Sequence, residues 1–167
     1  CMSDSPHTYS DHSYWDYLSL TQQDLIREGG YIYQEIFSDA KYNFKDYAFV
    51  VFPFAKAYEG FLKKVFLDIG YINQKEYMSP HLRLGRLLSP DTFFKTREQS
   101  LYVKIEEEFS TTLASEIWHA WRYCRNELFH YYPHNEKSTS LIEAKEKISE
   151  ISMVMSKIYN RMIGQNR

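Results

Sequence analysis

Hydrophobic residues recur every three or four positions along most of this chain, which is the spacing of amphipathic helices. The longest pattern covers residues 101–131, and we expect one continuous helix there, ended by Pro133. A heptad-like stripe over residues 141–162 predicts a last helix, with Ser138 or Ser140 as its N-cap. Such stripes are usually buried, so both segments are predicted to line the core.

A third pattern predicts a helix in the first half of the chain. Apolar residues from Phe54 to Ile69 share one helical face, and a helix built on them should end near Gly70. Pro53 suits the first turn of this helix. The apolar residues 50–52 leave open a longer helix with a kink at the proline.

The remaining segments give weaker signals. Residues 21–24 resemble a helix start, and the pattern continues toward Phe37 across a glycine pair at 29–30 that can divide the helix. A short helix is expected over residues 80–88, before a Ser-Pro step. Residues 1–12 are polar and lack periodicity, so we expect a flexible N-terminal arm.

These elements predict an all-α fold. Helices joined by short loops pack as an antiparallel bundle, here with a short extra helix. No linker divides the chain after the arm, so residues 13–167 should form a single domain. With 167 residues, of which 44% are hydrophobic, the chain can bury a sizeable core.

Composition and charge narrow the partners. The formal net charge is −2 and the pI is near 6.3, so binding of nucleic acid would need a local basic patch. Fifteen tyrosines are more than one small core hides completely, and tyrosine is frequent where a surface meets a partner.

Cysteine usage and hydropathy bear on compartment. Cys1 and Cys124 lack the spacing of a disulfide framework or a zinc site, and Cys124 lies on the apolar stripe of a predicted core helix. The longest apolar run, residues 48–55, is far too short for a bilayer, and the chain does not start with a secretory signal. We therefore expect a cytoplasmic protein that uses no membrane, metal or cofactor.

The end of the predicted long helix collects groups that bind phosphate. On a continuous helix, Arg125 and His130 lie about 140° apart around the axis. The sector between them is aromatic and cationic, which is costly on a monomer, so we expect a homodimer whose twofold axis brings two arginine and histidine pairs together. The predicted interface residues are Trp118, Arg122 and Phe129.

Two segments carry a family resemblance. Residues 125–130, RNELFH, resemble the R-x4-6-H motif of HEPN-domain ribonucleases, in which a polar residue often follows the arginine. Residues 58–64, YEGFLKK, resemble the helix that adds a glutamate to the active site in the RNase LS (RnlA/LsoA) toxin branch. The resemblance covers about residues 46–163 and implies a HEPN-like bundle with the catalytic residues Glu59, Arg125 and His130.

A second branch of the same family fits as well. Residues 125–132 match the R-x4-H-x-Y pattern of HepT toxins, which implies that a nucleotidyltransferase antitoxin modifies Tyr132 with AMP. The two branches share ribonuclease chemistry and differ in how they are silenced, and both remain open here.

Cleavage of RNA without a metal ion requires residues of these types. Metal-independent RNA cleavage needs a base for the 2′-OH proton, an acid for the leaving 5′-oxygen and a cation for the phosphorane, and it yields a 2′,3′-cyclic phosphate and a 5′-OH. Histidine can be the base or the acid, and arginine grips phosphate oxygens, so His130 from each of two chains can divide the proton work. Asn126 can orient His130 or bind a phosphate, and Glu59 can fix Arg125 or accept a proton.

The expected function is therefore a metal-independent endoribonuclease of HEPN type, a toxin of a toxin–antitoxin or antiphage-defence system with a cognate antitoxin. The alternative is a non-catalytic HEPN module that binds nucleotide, RNA or a partner protein. The predicted RNA contacts are Lys63, Lys64, Arg122, Tyr131 and His134, with Tyr132 as a further stacking ring.

Overall fold

The computed structural model describes residues 9–38, 42–91 and 100–164, and within them every regular element is helical. The predicted all-α class is confirmed. No helix in these ranges is long and apolar enough to cross a membrane. The α-helices are α1 (Leu20–Ser38), α2 (Ala48–Asp68), α3 (Gln74–Met78), α4 (Leu84–Leu88), α5 (Leu101–Glu108), α6 (Thr111–Trp121) and α7 (Leu141–Ile158).

Helix α1 lies antiparallel to α2 and runs unbroken through its glycine pair. A Cβ on Gly29 would come 2.7 Å from the Phe54 ring, so the missing side chain lets the two helices pack closely. Gly60 of α2 faces the end of the flexible Gln22 side chain of α1, and these two contacts show that the helices run in opposite directions. The glycines therefore serve helix packing and do not divide the helix.

Helix α2 takes the longer of the two predicted forms. It begins at Ala48, holds the buried Pro53 in its second turn, and ends at Asp68 just before Gly70, whose φ is +79°. A positive φ favours glycine, which explains why the helix ends there. At the other end, the Tyr47 N–H donates to the Thr139 carbonyl at 2.8 Å and ties α2 to the loop before α7.

The prediction of one continuous helix over 101–131 is wrong. Helix α5 ends at Glu108, and the Ser110 hydroxyl accepts the Leu113 N–H at 3.1 Å as the N-cap of α6. The apolar spacing could not reveal this break because Ile105 and Leu113, on its two sides, are both buried in the same core.

A second departure follows at the end of α6, which stops at Trp121. Residues Arg122–Asn126 form a π-helical turn, in which the Glu127 N–H donates to the Arg122 carbonyl at 2.9 Å. The buried Lys147 of α7 donates its ammonium to the Tyr123 carbonyl at 2.8 Å, which satisfies a backbone acceptor of this turn. The chain then turns through residues 127–130 well before Pro133.

Two smaller predictions are refined. The short extra helix is α4 and starts at Leu84, later than expected, while the additional helix α3 carries a capping box between Asn73 and Glu76. Of the two predicted caps of α7, Ser140 is the one observed: its hydroxyl accepts the Glu143 N–H at 3.2 Å.

The described part of the N-terminal arm packs on the bundle, so the prediction of a flexible arm is wrong for residues 9–12. Tyr9 is buried against Phe54, and the hydroxyl of Ser152 on α7 lies 3.1 Å from His12 Nε2 and 2.7 Å from the Tyr14 hydroxyl. Burial raises the pKa of Tyr14 to about 12. Residues 1–8 lie outside the described residues.

Candidate functional site

Glu59 and Arg125, one from each motif segment, are in contact. Arg125 donates from Nε at 3.0 Å and from Nη2 at 2.7 Å to the same carboxylate oxygen, Glu59 Oε2. The other oxygen, Glu59 Oε1, lies 3.3 Å from the Lys63 ammonium. The side chains of Glu59 and Arg125 are 24% and 31% exposed, so this ion pair is partly shielded from solvent yet accessible to it.

An aromatic face completes the support of the arginine. The Arg125 guanidinium lies 4.5 Å from the centroid of the Trp121 ring, a cation–π contact. The Trp121 indole in turn packs on α4 at Gly85, where a Cβ would come 2.5 Å from the indole nitrogen. The hydroxyl of the fully buried Tyr58, next to Glu59, donates to the Ile117 carbonyl at 3.1 Å and joins α2 to α6 beside the pair.

His130 is not joined to this pair. It lies in the turn after the π-helical segment, exposed, and no described residue hydrogen-bonds, pairs or stacks with it. Asn126 is also exposed and makes no hydrogen bond to His130. Within a single chain, no direct contact therefore supports the possible role of Asn126 in orienting the His130 imidazole.

The cations predicted to anchor phosphate are each paired with a carboxylate. Besides the Lys63 contact with Glu59, Lys64 lies 2.8 Å from Asp68 and 4.5 Å from the Tyr17 ring centroid, and Arg122 lies 3.0 Å from Glu127. An ion pair lowers the net charge that such a group offers to a ligand. Their predicted role in RNA binding is not tested by these contacts.

The residues after His130 form a loop that is anchored beside the start of α2. Tyr131 is 79% exposed, and Tyr132 carries the Lys137 ammonium 4.4 Å from its ring centroid. His134 is exposed with a φ of 58°. The next residue, Asn135, also has a positive φ and donates to Asp46 at 3.0 Å, beside the start of α2.

Asp46 is the acceptor that holds this loop. Its two oxygens accept from the Asn135 amide and from the backbone N–H groups of Ala48 and Thr139. Partial burial alone would raise the pKa of Asp46, but the three hydrogen bonds favour the charged form and together hold it below its usual value. The loop is therefore held most firmly while Asp46 is ionised.

Trp118 and Phe129, the two aromatic residues of the predicted interface, make no ring contact with each other in the described structure. Trp118 is half-buried and packs on the core, while Phe129 contacts Phe52 of α2, with ring centroids 5.2 Å apart. The prediction assumed a straight helix through residue 129, and the π-helical turn and the following turn redirect Phe129 toward α2. Phe52 and Phe129 remain 48% and 42% exposed, so an exposed aromatic pair does exist with a different partner.

Sequence reasoning missed the contacts of three residues near the Glu59–Arg125 pair. Trp121 lies within the apolar pattern of residues 101–131 and is buried as that pattern predicts, but the contacts of its face with Arg125 and of its edge with Gly85 depend on tertiary packing. Lys147 sits among apolar residues on the buried face of α7, and this position was the signal that it serves a buried acceptor. Phe52 precedes Pro53, and no feature of the sequence indicates that its ring contacts Phe129.

The described residues contain no group of three or more His, Cys, Asp or Glu side chains placed to hold a metal ion. Cys124 is buried in the core, as its place on the apolar stripe predicts. Burial raises the pKa of its thiol well above the usual range, so the thiolate is disfavoured.

Comparisons of this chain with protein-family models, curated proteins and solved structures found no match. The resemblance to HEPN ribonucleases therefore rests on the two motif segments, and it stays a prediction. What the geometry adds is that Glu59 and Arg125, one residue from each segment, touch across 66 positions of sequence.

Proposed function

We propose that this chain is a metal-independent endoribonuclease of HEPN type, acting as a toxin in a toxin–antitoxin or antiphage-defence system. The observation that carries the proposal is the Glu59–Arg125 pair, laid over Trp121 and followed within five residues by the exposed His130. Such a constellation supplies a fixed cation and a free imidazole on one surface segment.

Arg125 is the group that stabilises the charge of the phosphorane. Its Nε and Nη2 are used by Glu59, and the cation–π contact holds its plane, while Nη1 has no acceptor among the described residues. Nη1 is therefore free to donate to a phosphate oxygen from an orientation that is set in advance. In this reading Glu59 is a positioning residue.

His130 exchanges the protons. Neither of its ring nitrogens has a partner in the described part of the chain, so both are available to RNA. One imidazole takes the 2′-OH proton as the 2′-oxygen attacks phosphorus, and a second imidazole gives a proton to the leaving 5′-oxygen. One chain offers a single His130, so the complete site needs two copies.

A homodimer would supply the second imidazole. The exposed Phe52–Phe129 pair borders the turn that leads to His130, and covering such a pair with a second copy removes apolar surface from water. The proposed interface thus keeps Phe129 and takes Phe52 as its main partner in place of Trp118. A cognate antitoxin and a cytoplasmic location belong to the same proposal.

One observation favours the alternative of a non-catalytic binding module. Glu59 and Trp121 already occupy two sides of Arg125, and His130 touches neither Arg125 nor Asn126. Arginine paired in this way also serves plain structural roles. In that case Arg125 stabilises the bundle, and His130 and Tyr131 contact a ligand without chemistry.

Incubation with single-stranded RNA in EDTA tests the proposal. Wild type should cleave it to 2′,3′-cyclic phosphate and 5′-OH ends, and His130→Ala and Arg125→Ala should each slow cleavage by about 100-fold or more. Arg27→Ala, which removes an exposed cation of α1 paired with Asp24, is the matched control and should cleave as wild type does.

The outcomes separate the two functions. Cleavage unaffected by either substitution would refute the assigned site, and tight RNA binding without cleavage would support the module. The solution mass gives an independent check, because a strictly monomeric chain cannot assemble two imidazoles. Growth arrest on expression that disappears in His130→Ala would support the toxin assignment.

A further inference from the structure

A second region of positive charge lies away from the Glu59–Arg125 pair. The segment from Tyr71 to α4 and the first turn of α5 enclose a cleft of about 540 Å³, large enough for a nucleotide-sized group. Three permanent cations and one carboxylate line it, in a chain whose overall charge is −2. The charged and titratable lining residues are Tyr71, Glu76, His81, Arg83, Arg86 and Lys104.

The cations of this cleft differ from those elsewhere in their pairing. Within the described ranges, no carboxylate lies within ion-pair distance of Arg83 or Lys104, whereas Lys63, Lys64 and Arg122 each have one. The single acid of the lining, Glu76, already accepts the Asn73 N–H at 2.8 Å in the capping box of α3. Among the described residues, Arg83 and Lys104 therefore offer positive charge to the cleft without a paired carboxylate, and such charge attracts phosphate.

The lining favours the backbone of a nucleic acid over its bases. The tyrosine ring of the lining, Tyr71, is stacked on Phe66 with ring centroids 5.9 Å apart and carries the Lys104 ammonium 5.5 Å from its centroid. Its faces are thus engaged and leave no free platform for a base. Arginine and lysine side chains in such a cleft contact phosphates, and contacts to phosphates do not read sequence.

Trp121 connects this cleft to the proposed active site. Its indole edge packs on Gly85 of α4, which lies in sequence between the N-cap Arg83 and Arg86, and its face carries the Arg125 guanidinium. One side chain therefore bridges the two regions of positive charge. A strand with one phosphate at Arg125 has further cations on α4, beyond the indole.

We propose that this cleft binds backbone phosphates of single-stranded RNA next to the phosphodiester that is cut. The choice of RNA as the ligand rests on the proposed function, whereas the phosphate chemistry of the cleft does not. Binding here adds affinity for longer strands and leaves the chemical step at Arg125 and His130 unchanged.

Binding of a labelled single-stranded RNA, followed by fluorescence anisotropy in the His130→Ala background, tests the proposal without interference from cleavage. Replacing both Arg83 and Lys104 by Ala should weaken binding by about tenfold or more at low salt, for every RNA sequence tried. The dependence of log K on log salt should become shallower by about 1.4, since each lost phosphate contact on a single strand contributes about 0.7.

The matched control replaces Arg27 and Lys157, two exposed cations outside the cleft, and removes the same formal charge. Its binding should change by less than about twofold, because the lost charges do not touch the strand. Equal weakening in both double variants would overturn the proposal, as would binding unchanged by Arg83→Ala with Lys104→Ala. Circular dichroism and thermal melting confirm that each variant is folded.

Two further arms distinguish this proposal from its neighbours. Displacement of the RNA by millimolar AMP or inorganic phosphate, with no effect of strand length, would assign the cleft to a small phosphate ligand and overturn the RNA proposal. If wild type cuts no RNA but the cleft variants still bind RNA more weakly, the proposal for the cleft is supported and the proposed nuclease activity is refuted. If wild type cuts RNA and the cleft variants keep the same KM for long strands, the proposal for the cleft is refuted and the proposed nuclease activity is supported.

Discussion

The two ends of the segment from Arg125 to His130 lie in different surroundings, although only four residues lie between them. The arginine end, defined by Glu59, Trp121 and Arg125, is fixed by two hydrogen bonds and a ring contact. The histidine end, residues 127–134, has its candidate imidazole exposed and without a partner in the described chain. A group that holds charge gains from being fixed in advance, whereas a group that moves protons can be positioned by what binds.

The largest expected effect comes from the packing beneath the arginine end. Gly85→Ala places a methyl group about 2.5 Å from the Trp121 indole nitrogen, so the indole or α4 must shift. Overpacking of this kind costs about 1–3 kcal/mol, and the displaced indole should also weaken the support of Arg125. Urea unfolding followed by tryptophan fluorescence measures both effects.

Gly60→Ala is the matched control for that substitution. Its Cβ would meet only the far end of the flexible Gln22 side chain, at 2.7 Å, and alanine favours the helix by up to about 1 kcal/mol. The free energy of unfolding should therefore stay the same or rise. A Gly85→Ala protein as stable as Gly60→Ala would show that the indole is not held tightly against α4.

The next effect concerns the ion pair itself. Arg125→Ala leaves Lys63 as the only cation paired with Glu59 among the described residues and removes the contact with Trp121. It should lower the free energy of unfolding by about 1–2 kcal/mol. Arg122→Ala, three residues earlier, breaks the exposed pair with Glu127 and should cost less than about 0.5 kcal/mol. Equal losses in the two variants, measured by urea unfolding, would mean that the arginine end is no better held than the surface.

Acid should loosen the loop after His130 through Asp46. The folded-state pKa of Asp46 is lowered, so its stabilisation is fully present above the unfolded value near 4 and disappears as the pH falls through the folded value. Asp46→Asn should therefore be less stable than wild type at pH 6, by less than about 1 kcal/mol after solvent screening. The gap should narrow toward pH 3, and a gap independent of pH would contradict this anchoring by charge.

The smallest stability effect is expected at His130. Because its side chain is exposed and without contacts in the described residues, His130→Ala should leave the free energy of unfolding within about 0.5 kcal/mol of wild type. Loss of RNA cleavage without loss of stability would then sharpen the contrast between the two ends. A destabilisation comparable to that of Arg125→Ala would show that the imidazole has a structural role.

Helices whose apolar pattern matches their packing could be predicted from the sequence. The stripe of α7 and its Ser140 cap depend on local spacing and local hydrogen bonds, both of which the sequence displays. The break at Ser110 could not be predicted, because α5 and α6 bury the same kind of stripe on both sides of it. Periodicity reports which residues face the core and is insensitive to a kink that keeps them there.

The candidate site also combines features that could be predicted from the sequence with features that could not. The contact between Glu59 and Arg125 was expected from the resemblance of two segments, and no spacing argument would have joined residues 66 positions apart. The contacts of Trp121 with Gly85 and of Phe129 with Phe52 depend on how helices and turns meet in three dimensions. The wrong partner assigned to Phe129 follows from assuming regular helix geometry beyond Trp121.

The wide turn at Arg122–Asn126 also bears on how much length variation the motif tolerates. A π-helical turn contains one residue more than the corresponding turn of an α-helix. Deletion of one residue can therefore convert this turn into regular α-helix that continues α6. We expect insertions and deletions of one residue to be absorbed here, while α6 and α7 keep their register. The interval between the guanidinium and the imidazole would then be an adjustable spacer, and its residue count a poor guide to the distance that it spans.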